Sequence, residues 1–154
     1  MLRFHFIRRD WSDRVIEVEW LITCRFKSLV RHENNWDAVF APDANIRIEC
    51  LWRLLESGHI VITSDDDGHR FGVSAPRDAV AEVNQRIGGI QVTSISCKEG
   101  TLDLAVGFSN GHVLEILPNS SCYEAWHLAG INSLVIAVGG GYLDVFRGPA
   151  ESVE

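Results

Sequence analysis

The chain has 154 residues, of which 46% are apolar and 23% charged, a composition typical of a soluble globular protein with one domain over residues 1–154. No apolar run approaches the roughly 20 residues of a membrane-spanning helix, which argues against a membrane protein. The formal net charge is −7, and it is uneven: residues 1–36 carry seven Lys/Arg and five Asp/Glu, whereas residues 37–154 carry seven and sixteen. Because nucleic-acid binding depends on cations that neutralise phosphates, this balance argues against a nucleic-acid partner. It suits either a basic protein partner or solubility alone.

The amino terminus and the cysteine pattern both indicate the reducing cytosol. The first residues, MLRFHFIRRDW, mix basic and apolar side chains, so they lack the uninterrupted apolar core of a signal peptide. Four cysteines lie far apart without a CxxC pair: Cys24, Cys50, Cys97 and Cys122. We therefore predict free thiols and a cytoplasmic protein.

Two strands are predicted from apolar residues at every second position in the first third of the chain. One run extends from Ile16 to Phe26, and the other from Ile46 to Leu54. Polar residues occupy most of the positions between them, which is typical of a strand with one solvated face. Residues 28–45 contain Asn34-Asn35 and Pro42 and are predicted to be mostly loop.

The rest of the chain predicts an antiparallel meander interrupted by one helix. Short strands are expected near residues 59–64, 90–97, 101–108, 112–117, 122–128, 133–138 and 142–146. Asn110-Gly111 is a strong hairpin signal, and Gly139 to Gly141 can supply the positive φ angles of a second tight turn. The predicted fold class is α+β, mostly antiparallel β-sheet.

The one predicted helix lies near residues 76–87. Pro76 and Asp78 are typical of a helix start, and Gly88 follows the last predicted turn. A single apolar stripe at helical spacing makes this helix amphipathic, and its members are Ala79, Val80, Val83 and Ile87.

The sequence predicts no catalytic residues, no metal ligands and no cofactor. The six histidines show neither HxxxH nor HExxH spacing. Asp65-Asp66-Asp67-Gly68 lacks the alternating ligands and the final Glu of an EF-hand loop, so we predict a solvated turn between strands. The segment GVSAP at 72–76 lacks the second glycine of a nucleophile elbow.

The segment SSCYEAWHLAG, residues 120–130, has two interpretations. Tyr123, Glu124 and Trp126 could form a structural motif, with Glu124 either buried beside Trp126 and paired to Arg47 or Arg53, or placed at the sheet margin. In the second interpretation, Tyr123, Glu124 and His127 line a small-ligand or catalytic site. We favour the structural motif, and we expect Glu124→Ala and Trp126→Ala to lower thermal stability.

Residues 45–147 resemble a small bacterial domain family with no assigned reaction. The shared pattern is a strand, a polar-Gly turn, a strand, Ser-Ser-Gly-Tyr-Glu-x-Trp, a strand and a double-glycine turn. The matching positions are Phe108, Gly111, Leu114, Tyr123, Glu124, Trp126, Gly140 and Gly141, while Cys122 stands where the family has glycine. The likeness extends to Trp52-Arg53 and Phe71-Gly72. The resemblance implies an immunity protein of a polymorphic toxin system, such as contact-dependent inhibition.

The charge balance and the resemblance together suggest how such a protein would act. We expect it to bind a cognate basic toxin domain and to cover the toxin's working surface without catalysis. The leading contacts are Asp65, Asp66 and Asp67, because a turn projects them and only Arg70 is a nearby cation in sequence. Glu99 and Asp103 extend this patch if the sheet order brings both turns to one end.

Overall fold

A computed structural model describes residues 18–148, which form eleven strands and, within these residues, one α-helix. The strands are β1 (Arg25–Arg31), β2 (Trp36–Ala41), β3 (Ala44–Ile48), β4 (Leu51–Glu56), β5 (His59–Thr63), β6 (Val92–Cys97), β7 (Leu104–Phe108), β8 (Val113–Leu117), β9 (Trp126–Ala129), β10 (Ser133–Val138) and β11 (Tyr142–Arg147). The helix α1 spans Ala79–Ile87. A six-stranded sheet has the order β1-β2-β3-β9-β10-β11, and a five-stranded sheet has the order β5-β4-β8-β7-β6. All pairings are antiparallel, so the predicted fold class is confirmed.

The chain crosses between the two sheets twice, and the two crossings lie side by side. It leaves the six-stranded sheet after β3 and returns to it after β8. The backbone N–H of Glu49 in the first crossing donates to the carbonyl of Ala125 in the second, at 2.8 Å. We call residues 49–50 and 118–125 the sheet junction. The predicted C-terminal meander is therefore two three-stranded meanders, β6-β7-β8 and β9-β10-β11, in different sheets.

The predicted strand from Ile16 to Phe26 is wrong within the described residues. Glu19–Leu21 form a 3-10 turn, Thr23 has a φ of 83°, and the strand begins only at Arg25. Val18 and Leu21 are both fully buried, and their spacing of three suits a helical turn rather than a strand. Ile16 lies outside the described residues.

The loop predicted over residues 28–45 is also wrong. Trp36, Ala38 and Phe40 are buried at every second position of β2, which is the strand signal that the turn residues obscured. Asn34-Asn35 and Pro42 instead mark the hairpin turns on either side of β2. The predicted strand from Ile46 to Leu54 is two strands, because the chain changes sheets at residues 49–50.

The other predicted strands and both glycine turns are confirmed, except that the strand predicted near residues 122–128 begins only at Trp126, so Tyr123 and Glu124 lie in the loop before it. Gly111 has a φ of 88° in the β7–β8 hairpin, and Gly140 and Gly141 have φ values of 82° and 84° between β10 and β11. Left-handed backbone of this kind is accessible to glycine at low cost. The C-terminal half of the chain was therefore well predicted from turn chemistry.

The predicted amphipathic helix is confirmed, but it begins at Ala79 rather than near residue 76. The Asp78 side chain accepts a hydrogen bond from the backbone N–H of Ala81 at 3.0 Å, so Asp78 is the N-cap. Ala79, Val83 and Ile87 are buried, as the predicted stripe requires, and Val80 packs partly against the core. On the same helix, the Asn84 side chain bonds both the N–H and the carbonyl of Leu29, at 2.7 and 3.5 Å. The helix thereby covers the edge strand β1.

One hydrophobic core joins both sheets and the helix. Phe26 makes edge-to-face contacts with Phe40 at 5.5 Å and with Phe108, in the other sheet, at 6.0 Å between ring centroids. The Trp36 and Trp52 rings also meet across the sheets, at 5.2 Å. All four cysteines are free, as predicted. Residues 18–148 contain no helix that is long and apolar enough to cross a membrane.

Candidate functional site

The strand registers gather several polar loops at the sheet junction. In the five-stranded sheet, Thr63 lies opposite Arg53, Leu117 opposite Leu51, and Cys97 opposite Leu104. The loops that follow β5, β6 and β8 therefore leave the sheet at the same end. In the six-stranded sheet, the start of β9 and the end of β10 meet at this end, since Trp126 pairs with Ala137.

Direct contacts hold these loops together. The indole N–H of Trp126 donates to the carbonyl of Leu102 at 3.0 Å, which ties β9 to the β6–β7 turn. Gly141 lies against the Gly100 carbonyl so closely that a side chain at position 141 would collide with it. Gly139 packs in the same way against the backbone of Cys122. The junction is thus built from side-chain and backbone contacts between segments that are distant in sequence.

The three adjacent aspartates have different roles. The Asp66 carboxylate accepts from the N–H of Thr63 at 2.9 Å and lies 3.7 Å from the Arg77 guanidinium. The Asp67 carboxylate accepts from the N–H of Ala79 at 3.0 Å, at the start of α1. Only Asp65 is exposed with no hydrogen bond or ion pair of its carboxylate among the described residues. The segment connects a strand to a helix rather than two strands, and Arg77, not Arg70, is its nearby cation.

Glu99 and Asp103 lie at the same end of the five-stranded sheet as Asp65, which meets the condition set by the sequence analysis. Glu99 is exposed and Asp103 half-buried. The charges of Asp103 and Glu49 both act on Cys50, where burial is the main cause that raises the pKa of the thiol to about 12. These two carboxylates are therefore close to the same core-lining thiol.

Glu124 is exposed, and within residues 18–148 it pairs with no arginine. Its carboxylate lies 2.7 Å from Nε2 of His127, whereas Arg53 pairs with Glu115 at 2.7 Å and Arg47 lies 3.9 Å from Asp37. The backbone N–H groups of Cys122 and Tyr123 both donate to the Ser120 hydroxyl, which forms a local serine turn. Glu124 therefore lies at the sheet margin, the second of the two predicted placements.

Of the three residues in the predicted structural motif, Trp126 is the one that packs in the core. This residue is fully buried, while Tyr123 has 77% of its surface exposed. The predicted loss of stability on Glu124→Ala loses its basis, because in the described part of the chain the Glu124 side chain bonds only to His127, which is not a core residue. The contact of Glu124 is instead with His127, which lies between the buried strand residues Trp126 and Leu128.

Glu49 is a site residue that the sequence analysis missed. Ligand atoms of Glu49, Glu124 and His127 lie within 4.8 Å of one another. In the sequence, Glu49 belongs to the polar face of an apparent single strand, and nothing in its neighbourhood points to residues 120–130. Only the adjacency of the two crossings brings it there.

A cavity of about 370 Å³ opens beside Glu49. Its lining includes Arg31, Asn34, Trp36, Glu49, Asp65 and Asn119. The Arg31 guanidinium lies 4.3 Å above the Trp36 ring, a cation–π arrangement that holds this cation at one wall of the cavity. Two exposed carboxylates, Glu49 and Asp65, occupy other parts of the lining.

We define the junction face as the five carboxylates of Glu49, Asp65, Glu99, Asp103 and Glu124. Among the described residues, none of them forms an ion pair with a lysine or an arginine. Two exposed tyrosines adjoin this face: Tyr123 precedes Glu124, and Tyr142, 59% exposed, begins β11 next to Gly140. The result is an acidic surface with aromatic side chains at its margin.

No family model matches the chain, and searches among curated proteins and solved structures find no significant similarity.

Proposed function

We propose that this protein is a cytoplasmic immunity protein that binds a cognate basic toxin domain through the junction face and blocks it without catalysis. The observation that carries the proposal is the convergence, on loops from both sheets, of five carboxylates that have no lysine or arginine partner within residues 18–148. The family resemblance in residues 45–147 supports the same assignment. Neither a nucleic acid nor a membrane is the expected partner of so acidic a surface.

The charge arrangement favours binding over a role in solubility alone. Like charges that lie close together on a folded protein repel one another, and a partner's Lys or Arg side chains relieve that repulsion. Exposed carboxylates at the rim of such an interface mostly raise the association rate. A carboxylate that is desolvated against a cation of the partner contributes more, since its removal can weaken binding by about 2–5 kcal/mol.

The exposed tyrosines add a second feature of protein interfaces. Tyrosine is enriched at the energetic centres of interfaces, because its ring buries apolar area while its hydroxyl retains a hydrogen bond. Tyr123 and Tyr142 would supply this apolar contact next to the carboxylates.

The proposal requires a toxin domain encoded by a gene beside this one, and the direct test is protection of bacteria that express that domain. Co-expression of the wild-type chain should restore growth, and the Asp65→Asn/Glu99→Gln/Asp103→Asn variant should restore it less. Asp43→Asn is the control, because Asp43 lies in the β2–β3 turn at the opposite end of the six-stranded sheet.

Three results would contradict the proposal. The first is full protection by the triple variant at matched protein levels. The second is a failure of the wild-type chain to protect against the adjacent toxin. The third is a genome that encodes no toxin domain beside this gene.

The alternative function is a small-ligand binder or enzyme that uses Tyr123, Glu124 and His127. The 2.7 Å contact between Glu124 and His127 favours it, since a carboxylate can orient an imidazole for proton transfer. However, within residues 18–148 no serine or cysteine side chain hydrogen-bonds to His127. The described residues thus supply a possible base and its orienting group, but no activated nucleophile.

A further inference from the structure

The Glu49, Glu124 and His127 side chains form a cluster whose chemistry differs from that of the other carboxylates. It combines one imidazole nitrogen with two carboxylate oxygens, and the ligand atoms lie within 4.8 Å of one another. Since neither carboxylate pairs with a lysine or arginine among the residues that the structure describes, the pair leaves negative charge that a cation would neutralise. The imidazole makes this more than an acidic patch, because it is a ligand for transition metals rather than for Mg²⁺ or Ca²⁺.

The backbone holds the three residues in place from both sides. Glu49 is fixed by its N–H, which donates to Ala125, and the N–H of Ala125 in turn donates to Ala137 in β10 at 2.9 Å. His127 belongs to β9, between the fully buried Trp126 and Leu128. The backbones of Glu49 and His127 are therefore anchored to the six-stranded sheet, and Glu124 lies in the loop directly before Ala125 and β9.

We propose that Glu49, Glu124 and His127 bind a divalent first-row transition metal, for which Zn²⁺ is the natural probe. A tetrahedral Zn²⁺ about 2.0–2.2 Å from each ligand atom requires those atoms to lie about 3–3.5 Å apart. Because Glu49 and Glu124 are exposed, rotation of their side chains is the movement that metal binding would require. The site supplies three protein ligands and leaves the fourth position to water or to a side chain of a partner.

Metal binding replaces the hydrogen bond between Glu124 and His127. Nε2 must present its lone pair to the metal, so the neutral imidazole carries its proton on Nδ1. The Glu124 oxygen that now lies 2.7 Å from Nε2 becomes a ligand beside it. Nothing is oxidised or reduced, and any proton displaced from the pair goes to the buffer.

The test uses the purified chain alone, stripped with a chelator and titrated with Zn²⁺ by calorimetry without a thiol reductant. We expect one Zn²⁺ per chain. Each of the substitutions Glu49→Gln, Glu124→Gln and His127→Gln should weaken the affinity at least about tenfold, since even the loss of groups that only support metal ligands costs about 10–100-fold. Excess Mg²⁺ should not displace the Zn²⁺.

The chain offers two matched controls. His32→Gln removes a histidine that also contacts a carboxylate at 2.7 Å, that of Asp37, but belongs to no cluster of three ligands among the described residues. Cys122→Ser removes the exposed thiol that lies two residues before Glu124. Both variants should bind Zn²⁺ like the wild type, and bound Co²⁺ should show d–d absorption without a thiolate charge-transfer band.

Circular dichroism identifies which of the three ligand variants remain folded, and only those variants are compared. Loss of affinity in at least two of them supports the site. The proposal is overturned by retained binding in two or more of them, by no binding in the wild type, by equal binding of Mg²⁺, or by a thiolate band. Because no toxin is present, this outcome is independent of the proposed immunity function.

Discussion

Trp126 and Glu124 are close neighbours in the sequence, but the protein uses them differently. The Trp126 ring is fully buried and its indole N–H is satisfied by the Leu102 carbonyl, so it connects β9 to the turn between β6 and β7. Glu124 is exposed and contacts His127. Substitutions at the two positions should therefore have different consequences for stability.

We expect Trp126→Ala to lower the free energy of unfolding by about 3–5 kcal/mol, because it creates a cavity and leaves the Leu102 carbonyl unpaired. Glu124→Ala should change the free energy of unfolding by no more than about 0.5 kcal/mol, as for most surface substitutions. Urea unfolding of both variants measures the difference. Equal losses would show that Glu124 has a structural role that its exposure conceals.

The two core-facing thiols, Cys50 and Cys97, should make the free energy of unfolding fall at alkaline pH. Burial, followed by the negative charge of Asp103, raises the pKa of Cys97 from 9.0 to about 12, and burial likewise raises that of Cys50 to about 12. The folded chain thus keeps protons that the unfolded chain releases above pH 9.0. The contribution of the protonated thiols to the free energy of unfolding is complete below pH 9.0, and it is lost as the pH rises toward about 12.

The pH effect is measured by urea unfolding at neutral and at alkaline pH, in the presence of a reductant. The wild type should lose more stability on alkalinisation than the Cys50→Ala/Cys97→Ala variant, which has no such thiols to ionise. The comparison uses the change with pH rather than the absolute stability, so a cavity in the variant does not affect it. An equal change in both proteins would contradict the assignment.

At the scale of the elements, α1 protects the sheet as well as contributing to its core. Asn84 bonds both backbone groups of Leu29 on the edge strand β1, which would otherwise expose pairing groups to another chain. The Asp67 carboxylate anchors the start of the same helix through Ala79. The helix is thus tied to the sheet by polar contacts at both its start and its middle.

We expect Asn84→Ala to lower the free energy of unfolding by about 1–3 kcal/mol, because the Leu29 N–H loses a partly buried partner. The control is Gln85→Ala, since Gln85 is an exposed neighbour on the same helix. Urea unfolding measures both variants, and light scattering should reveal more self-association for Asn84→Ala than for the control. Identical behaviour would mean that Asn84 does not protect the edge.

The elements also show what sequence patterns can and cannot predict. The turns at Asn110-Gly111 and at glycines 139–141 could be predicted locally, because left-handed backbone needs particular residues. The helix α1 could be predicted from its apolar stripe and from Asp78 at its start. The strand period persisted from Ile46 to Leu54 although the chain changes sheets between them, because alternation reports burial and not the identity of the sheet. For the same reason Glu49 could not be assigned to the site: its position depends on two distant crossings that lie side by side.

At the scale of the whole molecule, the two sheets share one core and place their polar loops at one junction. Asp65, Glu99 and Asp103 were predicted from charge and turn position alone, and they lie on loops at the same end of the five-stranded sheet. Asp66 and Asp67 are largely occupied by internal contacts, while Glu49 and Glu124 complete the face. The proposed toxin-binding function depends on this combined surface rather than on any single motif.

The most direct test is the affinity of the adjacent toxin domain measured by calorimetry over a series of salt concentrations. Interactions between exposed charges are screened over about 10 Å at 0.1 M salt, so affinity for the wild type should fall steeply as salt increases. Asp65→Asn/Glu99→Gln/Asp103→Asn should bind more weakly at low salt and depend less on salt. The single variant Asp65→Asn should show part of this effect, whereas Asp43→Asn, which removes the same charge at the opposite end of the six-stranded sheet, should bind like the wild type. A triple variant with wild-type affinity at every salt concentration would contradict the account.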